Sequence, residues 1–390
     1  MYFTKEQILA ADLPRLKEMA LATLESDENK QLLNNNNRVK LKFGIGRPLY
    51  ANALGFKTMD YFTDPEVSVT AQLRWKLVVF HLLRDDTPFD LDIGIDYASA
   101  LEPNMLGVEM IEGEGKEPSY GHPIIHEYDD LKKIPMPDFY KSGKMPHVHR
   151  MYEAFQEILG EPFRVFMPGW ARGPWSIANM LRGFTECFMD SYDNPEFLHD
   201  LMQFAVDARI SFEKQRCKFL GIDPTDHSYT WKYCVYRINH SSDCFEDEVD
   251  GALFGVPFYR EFVLPYEKQL SQFYNGLDYY HSCGTMTPFL DDIGKELNVI
   301  GMQHVSAWTS LSKAAEAHKE NVLLQYSLNA LDDVFGSTPQ QMEDRVRKLI
   351  EESGNHPLDV CADAIYNGSW PQLEQVMVFR DAFRRVNGQL

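Results

Sequence analysis

The sequence lacks the features of a membrane-spanning, secreted or nucleic-acid-binding protein. No apolar run in its 390 residues approaches the length of a membrane span. The acidic, amphipathic start of the chain does not have a signal-peptide pattern. The formal charge of −20 disfavours binding to nucleic acid or to anionic membrane surfaces, because both are negatively charged and are repelled by such a protein. We therefore expect a cytoplasmic protein with no nucleic-acid partner and no membrane partner.

Cysteine is also scarce. The six cysteines are scattered along the chain without the spacing of a disulfide framework. In a cytoplasmic protein, such residues are free thiols or metal ligands rather than disulfides. The excess of acidic residues further disfavours a polycarboxylate substrate, unless arginines are concentrated in the pocket.

Strands and helices alternate through the last third of the chain. Four consecutive strand–helix units are predicted there, with strands at residues 277–281, 299–305, 322–328 and 358–362. The helix that follows Thr338 begins with a capping box, Thr338-Pro339-Gln340-Gln341. Consecutive units of this size imply a parallel sheet.

Four earlier strands are predicted at residues 39–45, 89–95, 163–170 and 227–238. Eight units predict an α/β fold, a single (β/α)8 barrel of the TIM type over residues 38–390. A helical extension at 1–37 precedes the barrel, and an excursion rich in Gly, Pro and charge interrupts it at about 106–150. Such a barrel places all strand C-terminal ends on one face, where active sites lie.

The clearest local signal is Tyr279-Tyr280-His281-Ser282-Cys283-Gly284, at the end of the fifth predicted strand. His281 and Cys283 are two residues apart, so on extended backbone they point to the same side and can share one metal ion. Cys361 is the only cysteine further along the sequence, and the barrel brings the end of its strand to the same face. These three residues are candidate zinc ligands, and buried thiols are the alternative.

Other polar residues near the predicted strand ends allow two interpretations each. His304 has two interpretations: a metal ligand or base at the rim of the barrel, or a hydrogen-bonded residue of the barrel wall. The second is more common for a lone histidine. The acidic segment 239–248 is a solvated loop, or a site in which Asp243 and Glu246 follow the fourth strand. His147 and His149 are expected to be solvated in a polar loop.

Aromatic residues are frequent near the predicted strand ends and in the loops that follow them. They are expected to wall the opening of the barrel, although large barrels also bury such side chains. A wall of this kind suits a methoxylated aromatic ring, or a methylammonium group through cation–π contact. The residues concerned are Trp170, Trp175, Trp231, Tyr233, Trp308, Tyr326 and Tyr366.

Four segments together resemble the uroporphyrinogen decarboxylase superfamily: residues 173–178, 258–266, 281–284 and 325–331. The resemblance covers most of the chain from about residue 39 and is strongest after residue 258. It implies a single barrel and one of two branches. One branch is a cofactor-free decarboxylase, and the other comprises zinc-dependent methyltransferases that work with corrinoid proteins.

Two strand ends depart from the decarboxylase branch. That branch has an arginine-rich motif after its first strand and a Gly-His-Gly type turn after its eighth. This sequence has Gly44-Ile45-Gly46-Arg47-Pro48 and Val360-Cys361-Ala362-Asp363 at those places. His281, Cys283 and Cys361 instead match the zinc ligands of the methyltransferase branch. The family's eighth-strand cysteine usually lies among glycines, whereas Asp359 and Asp363 flank it here.

The resemblance implies a catalytic zinc ion, because three protein ligands leave one of four positions open. A thiol in that position would become a thiolate that attacks a methyl group on cobalt, whereas a methylated oxygen or nitrogen would be activated as a leaving group. We favour the second route. The candidate catalytic residues are Asp243, Glu246, His304 and Tyr326, and Asp363 is a further carboxylate that could act at the zinc or the substrate.

The sequence therefore predicts a methyltransferase that moves a methyl group between a small methylated molecule, such as a methoxylated aromatic, and a corrinoid. The protein supplies no redox group, so the corrinoid is expected on a partner protein. The alternatives are a methylcorrinoid:thiol methyltransferase, a cofactor-free decarboxylase, and a non-catalytic zinc-bound barrel that docks a corrinoid protein.

Overall fold

The computed structural model describes residues 2–227 and 244–388. In these ranges, eight strands alternate with helices and run parallel to the strands with which they pair, and a short antiparallel hairpin lies outside them. The strands are β1 (Val39–Ile45), β2 (Asp92–Gly94), β3 (Met110–Ile111), β4 (Ser119–Tyr120), β5 (Arg164–Phe166), β6 (Cys244–Glu246), β7 (Leu277–His281), β8 (Val299–Val305), β9 (Leu323–Ser327) and β10 (Leu358–Ile365). The predicted (β/α)8 barrel is confirmed.

The helices of the described residues connect these strands. The α-helices are α1 (Lys5–Ala10), α2 (Leu13–Leu24), α3 (Asp27–Leu33), α4 (Arg47–Leu54), α5 (Thr58–Thr63), α6 (Pro65–Val78), α7 (Leu101–Met105), α8 (Met145–Leu159), α9 (Pro174–Arg182), α10 (Phe184–Asp193), α11 (Pro195–Leu220), α12 (Val256–Phe258), α13 (Leu264–Tyr274), α14 (Leu290–Glu296), α15 (Leu311–Ala317), α16 (Pro339–Glu352) and α17 (Trp370–Val386). None of them is long and apolar enough to cross a membrane.

The first and last strands of the barrel are neighbours. Six strands form one sheet in the order β1-β10-β9-β8-β7-β6, and β2 pairs with β5. The segment before β2 lies beside β1, where the Asp86 N–H donates to the Leu41 carbonyl over 2.9 Å. The C-terminal ends of the strands therefore lie on one side of the barrel, which we call the mouth.

Side chains along the strands alternate between the helices and the barrel interior. Leu41, Leu324 and Val360 are fully buried in the hydrophobic core between the strands and the helices. The intervening residues are polar: Lys42 lies opposite Cys361, and Cys361 lies opposite Ser327. The interior of the barrel is therefore polar on the side of β1, β9 and β10.

The helical extension that precedes the barrel is not one continuous helix. It forms three helices, α1 to α3, rather than one. Asp12 accepts from the N–H of Arg15 and Ser26 from that of Asn29, so each begins a new helix. These two caps therefore divide the extension into separate helices.

One local prediction was wrong. His147 and His149 lie in the first turns of α8, where their Nε2 atoms contact the carbonyls of Phe62 at 3.3 Å and Phe139 at 3.1 Å. They are therefore bonded helix residues rather than solvated loop residues, because α8 begins earlier than expected. In the acidic segment, for which a loop and a site were both open interpretations, β6 pairs with β7 and places Glu246 opposite His281. A three-residue strand is too short to show an apolar pattern.

Candidate active site at the barrel mouth

His281 and Cys283 lie together at the end of β7. The imidazole is buried and the thiol is exposed, and His281 Nε2 is 3.7 Å from Cys283 Sγ. In a tetrahedral zinc site with Zn–N near 2.0 Å and Zn–S near 2.3 Å, nitrogen and sulfur are separated by about 3.5 Å. Between them, the Ser282 hydroxyl donates to the Val249 carbonyl over 2.7 Å and fixes this strand end. The pair therefore fits a single zinc ion.

Cys361 lies within β10 rather than at its end, because this strand continues to Ile365. It is fully buried, and its register opposite Ser327 and Lys42 directs it into the barrel. Burial raises the pKa of the Cys361 thiol well above its usual range, and the charges of Asp359 and Asp363 add to this effect.

The predicted three-ligand set is not assembled in this conformation. In the described ranges, no three His, Cys, Asp or Glu residues lie close enough together to hold a metal ion. His281 and Cys283 meet the distance requirement as a pair. The role of Cys361 as a third ligand stays a prediction.

His304 lies next to His281 as a hydrogen-bonded wall residue. Its Nδ1 lies 2.9 Å from the Ser282 carbonyl and its Nε2 lies 2.8 Å from Ser327 Oγ. A carbonyl only accepts hydrogen bonds, so Nδ1 carries a proton. The Ser327 hydroxyl in turn donates to Asp363 over 2.8 Å. Both ring nitrogens are engaged, so His304 orients its neighbours in this conformation rather than offering a nitrogen to a metal.

Tyr326 does not face the barrel interior. Its hydroxyl accepts from the Arg345 guanidinium of α16 and contacts the Ala307 carbonyl at 3.4 Å. Side chains alternate along β9, so Gln325 and Ser327 face inward while Tyr326 faces the helices. The assignment of Tyr326 as a catalytic residue was wrong for this reason.

The predicted aromatic wall is divided between the core and the rim. Trp170 and Trp175 are fully buried. The Trp170 Nε1–H donates to the Arg172 carbonyl over 3.0 Å, and Trp175 packs edge-on against Phe184 and the aromatic rings around it. These two rings are core residues and do not line the opening, contrary to the expectation.

Trp308 and Tyr366 remain as candidates for substrate contact. Trp308 is 65% exposed and Tyr366 is 42% exposed, and both follow barrel strands at the mouth. Trp231 and Asp243 lie outside the described residues, as does most of the predicted fourth strand at 227–238.

Asp247 fixes the neighbouring helix to the strand that carries His281. Its backbone N–H donates to the His281 carbonyl over 3.0 Å. Its carboxylate accepts from the Ser176 N–H at 2.6 Å, the Ser176 hydroxyl at 2.8 Å and the Trp175 N–H at 3.2 Å. Burial raises the pKa of Asp247 to about 6. The sequence offered no signal for this residue beyond its place in an acidic segment.

The electrostatics of the site favour a neutral imidazole. Burial lowers the pKa of His281 to about 3, and the positive charge of Arg172 contributes in the same direction. Arg172 Nη1 lies 3.7 Å from Glu248 Oε1, so the two form an ion pair near the mouth. A neutral imidazole is the form that binds a metal ion.

The fold and the site define a TIM-type barrel with an imidazole–thiol pair at its mouth. The chain also matches the family model described as Uroporphyrinogen decarboxylase (URO-D) over residues 83–218 and 243–360. This match covers more than half of the sequence, and the protein belongs to that family. The resemblance read from the sequence is thereby confirmed.

Relatives with two kinds of activity are similar to the chain. A uroporphyrinogen decarboxylase from Psychrobacter arcticus is 28% identical over 133 residues, which is 32% of this chain and 33% of that protein. The chain therefore spans only about a third of the decarboxylase. The methylcobamide:CoM methyltransferase MtbA of Methanosarcina mazei is 23% identical over 277 residues, covering 68% of this chain and 69% of that protein.

A solved structure gives the same fold over nearly the whole chain. A methyltransferase from Methanosarcina mazei superposes with a TM-score of 0.63 at 18% identity, covering 95% of this chain and 98% of that one. The likeness extends beyond the segments that the decarboxylase shares. It establishes the barrel fold for the chain.

Proposed function

We propose that the protein is a zinc-dependent methyltransferase that moves a methyl group between a small methylated molecule and a corrinoid carried by a partner protein. The observation that carries the proposal is the 3.7 Å separation of His281 Nε2 and Cys283 Sγ at the mouth. The similarity to a methylcobamide methyltransferase over 68% of the chain supports it further. The decarboxylase match is shorter, at 32% of the chain.

His281, Cys283 and Cys361 are the residues that would hold the zinc ion. Their donors, one imidazole and two thiols, are of the type that zinc prefers. A bound zinc ion would supply Lewis acidity at one open position. Because Cys361 does not close the set in this conformation, we expect β10 or the loop after β7 to adjust when the ion binds.

The chain's own residues hold the metal-binding pair in place. His304 donates to the Ser282 carbonyl, between His281 and Cys283, and is itself bonded to Ser327. On the other side, the Asp247 N–H bonds the His281 carbonyl. The strand end is thus fixed from β6 and from β8, which positions both donors before a ligand arrives.

Trp308 is the candidate contact for the substrate or for the corrinoid partner. The Thr285 hydroxyl donates to the Trp308 carbonyl over 3.0 Å, and the Ser306 hydroxyl donates to the Gly284 carbonyl over 2.7 Å. The loop that carries Trp308 is therefore fastened to the loop that carries Cys283, while the indole itself is exposed. A large exposed aromatic side chain on a well-bonded loop suits binding rather than packing.

A methylcorrinoid:thiol methyltransferase is the second candidate function. The relatives named methylcobamide:CoM methyltransferases favour it, since they match more than two thirds of the chain. In this case the same three zinc ligands would serve, and the thiol would be the methyl acceptor. The direction of transfer distinguishes the two candidates.

The test combines metal analysis with a corrinoid assay. The purified protein is incubated with a cobalt(I) corrinoid and a panel of methyl ethers, amines, thioethers and methanol, and methyl–cobalt formation is followed by absorbance. In the reverse assay, a methylcorrinoid is incubated with thiols. We expect about one zinc ion per chain by elemental analysis, and methyl transfer in one of these directions.

Failure of methyl transfer in both directions, with every donor and thiol, would contradict the proposal. Decarboxylation of a porphyrinogen by metal-free protein would establish the decarboxylase alternative instead. Zinc bound without any methyl transfer would indicate the non-catalytic barrel.

A further inference from the structure

Arg47 lies at the mouth, directly after β1, as the first residue of α4. Its guanidinium is bound by two carboxylates of the chain. Nη1 lies 2.9 Å from Glu117 Oε1, and Nη2 forms an ion pair with Asp96, which follows β2. The Arg47 backbone N–H also donates to Glu117 Oε1 over 3.2 Å. A guanidinium and a backbone N–H at the start of a helix are groups that bind anions. Here the carboxylate of Glu117 accepts hydrogen bonds from both groups of Arg47.

Glu117 belongs to a loop that is anchored at several points. The loop connects β3 and β4, and two further glutamates fasten it. Glu112 pairs with Lys144 of the α8 cap over 3.0 Å, and Glu114 accepts from the Thr58 N–H at the start of α5 over 2.8 Å. The Arg47 and Glu117 side chains are only 23% and 18% exposed. The contact is therefore part of a built structure rather than a surface ion pair.

This cluster adjoins the candidate zinc site through Tyr366. A Cβ atom at position 46 would overlap the Tyr366 ring, so this ring lies directly against the backbone of Gly46, next to Arg47. Burial raises the pKa of Tyr366 to about 12, and the negative charges of Glu117 and Asp363 contribute to the rise. The phenol thus lies within the field of both Glu117 and Asp363, and Asp363 is two residues from Cys361.

We propose that Glu117 is a specificity-determining residue: it occupies Arg47 as an internal carboxylate, so that this side of the mouth accepts neutral or cationic methylated molecules and rejects carboxylates. One guanidinium with two carboxylates gives these three residues a net charge of −1. A substrate carboxylate would have to displace Glu117 and then stand beside two like charges. The statement about the substrate class rests on the proposed methyltransferase function, whereas the occupation of Arg47 does not.

The test is the binding of benzoate, measured by isothermal titration calorimetry in the absence of corrinoid and methyl donor. Glu117→Gln removes the competing charge, and we expect benzoate to bind it at least about tenfold more tightly than the wild type. Glu114→Gln is the matched control, since it removes the same charge from the same loop but from a residue that does not contact Arg47. The affinity of Glu114→Gln for benzoate should equal that of the wild type.

A second substitution assigns the gain to Arg47. In Glu117→Gln/Arg47→Met, the tighter binding should be lost, and thermal unfolding checks that each variant is folded. Equal affinity in the wild type and Glu117→Gln would overturn the proposal, as would an equal gain in Glu114→Gln. These measurements involve no methyl transfer, so failure of the proposed function and failure of this inference are distinguishable.

Discussion

The imidazole rings of His281 and His304 lie on adjacent strands with their centroids 4.0 Å apart. His304 is held by the Ser282 carbonyl and by Ser327, so its ring forms a fixed wall beside His281. This wall limits the orientations that the His281 ring can adopt. The Nε2 atom of His281 lies beside the Cys283 thiol. Neighbouring residues that are themselves hydrogen-bonded commonly orient the histidine ligands of metal sites.

Replacement of the two thiols should abolish zinc binding. In Cys283→Ser/Cys361→Ser, a single imidazole remains of the three proposed donors, and we expect the zinc content to fall from about one ion per chain to a trace. Elemental analysis of protein purified without chelators measures this. Cys217→Ala, which removes a buried thiol in α11, is the control and should retain the metal. Full zinc occupancy in the double variant would exclude this ligand set.

Removal of the exposed indole of Trp308 should impair activity without affecting stability. The side chain is 65% exposed, so Trp308→Ala loses little packing. If the indole contacts the substrate or the corrinoid partner, loss of about 1.4 kcal/mol of contact energy lowers kcat/KM about tenfold. Tyr192→Ala is the control, because Tyr192 is 87% exposed on α10 and follows no barrel strand directly. An equal effect of both substitutions would argue against a role for Trp308.

Local sequence signals were sufficient for most of the fold. The capping box at Thr338 and the repeated strand–helix units of the last third are confirmed in the structure. Such signals depend on residues a few positions apart. Seven of the eight barrel strands overlap predicted strands, whereas β6 was not among those predicted. The pairing of β1 with β10 agrees with a closed barrel.

The parts of the site that the sequence did not reveal depend on distant contacts. Glu117 meets Arg47 across 70 positions, and Ser327 meets Asp363 across 36. Neither pair has a characteristic spacing. The direction of Tyr326 depends on the exact phase of β9, which a one-residue shift reverses. Trp170 and Trp175 were misplaced because an aromatic side chain after a strand suits a core as well as a binding surface.

Glu267 should make the protein less stable as the pH rises. This carboxyl is buried between the hydroxyls of Tyr259 and Tyr280, and burial, together with the charge of Asp247, raises its pKa to about 8. An exposed glutamate has a pKa of about 4.5, so between these two pKa values the folded state binds the proton more tightly than the unfolded state does. Stability is therefore lost as the pH rises through this window, by at most about 1.4 kcal/mol per pH unit.

Urea unfolding at pH 5, 6, 7 and 8 measures this effect. Glu267→Gln cannot ionise, so its stability relative to the wild type should increase steadily across the series. Glu261→Gln, at an exposed position on the preceding helical turn, should run parallel to the wild type. Parallel curves for all three proteins would show that Glu267 does not titrate in this range.

Asp247 should contribute more to stability than an ordinary helix cap. Its carboxylate serves three donors at the start of α9, all of them buried, whereas Asp64 serves the exposed N–H groups of Glu66 and Val67 at the start of α6. Asp247→Ala leaves these buried donors without an acceptor, and we expect this to lower the free energy of unfolding by about 2 kcal/mol or more. Asp64→Ala leaves its donors to water and should cost about 1 kcal/mol. Urea unfolding of both variants compares them directly.

Since the bond from position 247 to the His281 carbonyl uses the backbone, folded Asp247→Ala should still bind zinc. Equal losses of stability would mean that the buried carboxylate does no more than a surface cap, and loss of zinc from the folded variant would mean that the side chain itself holds the site in place.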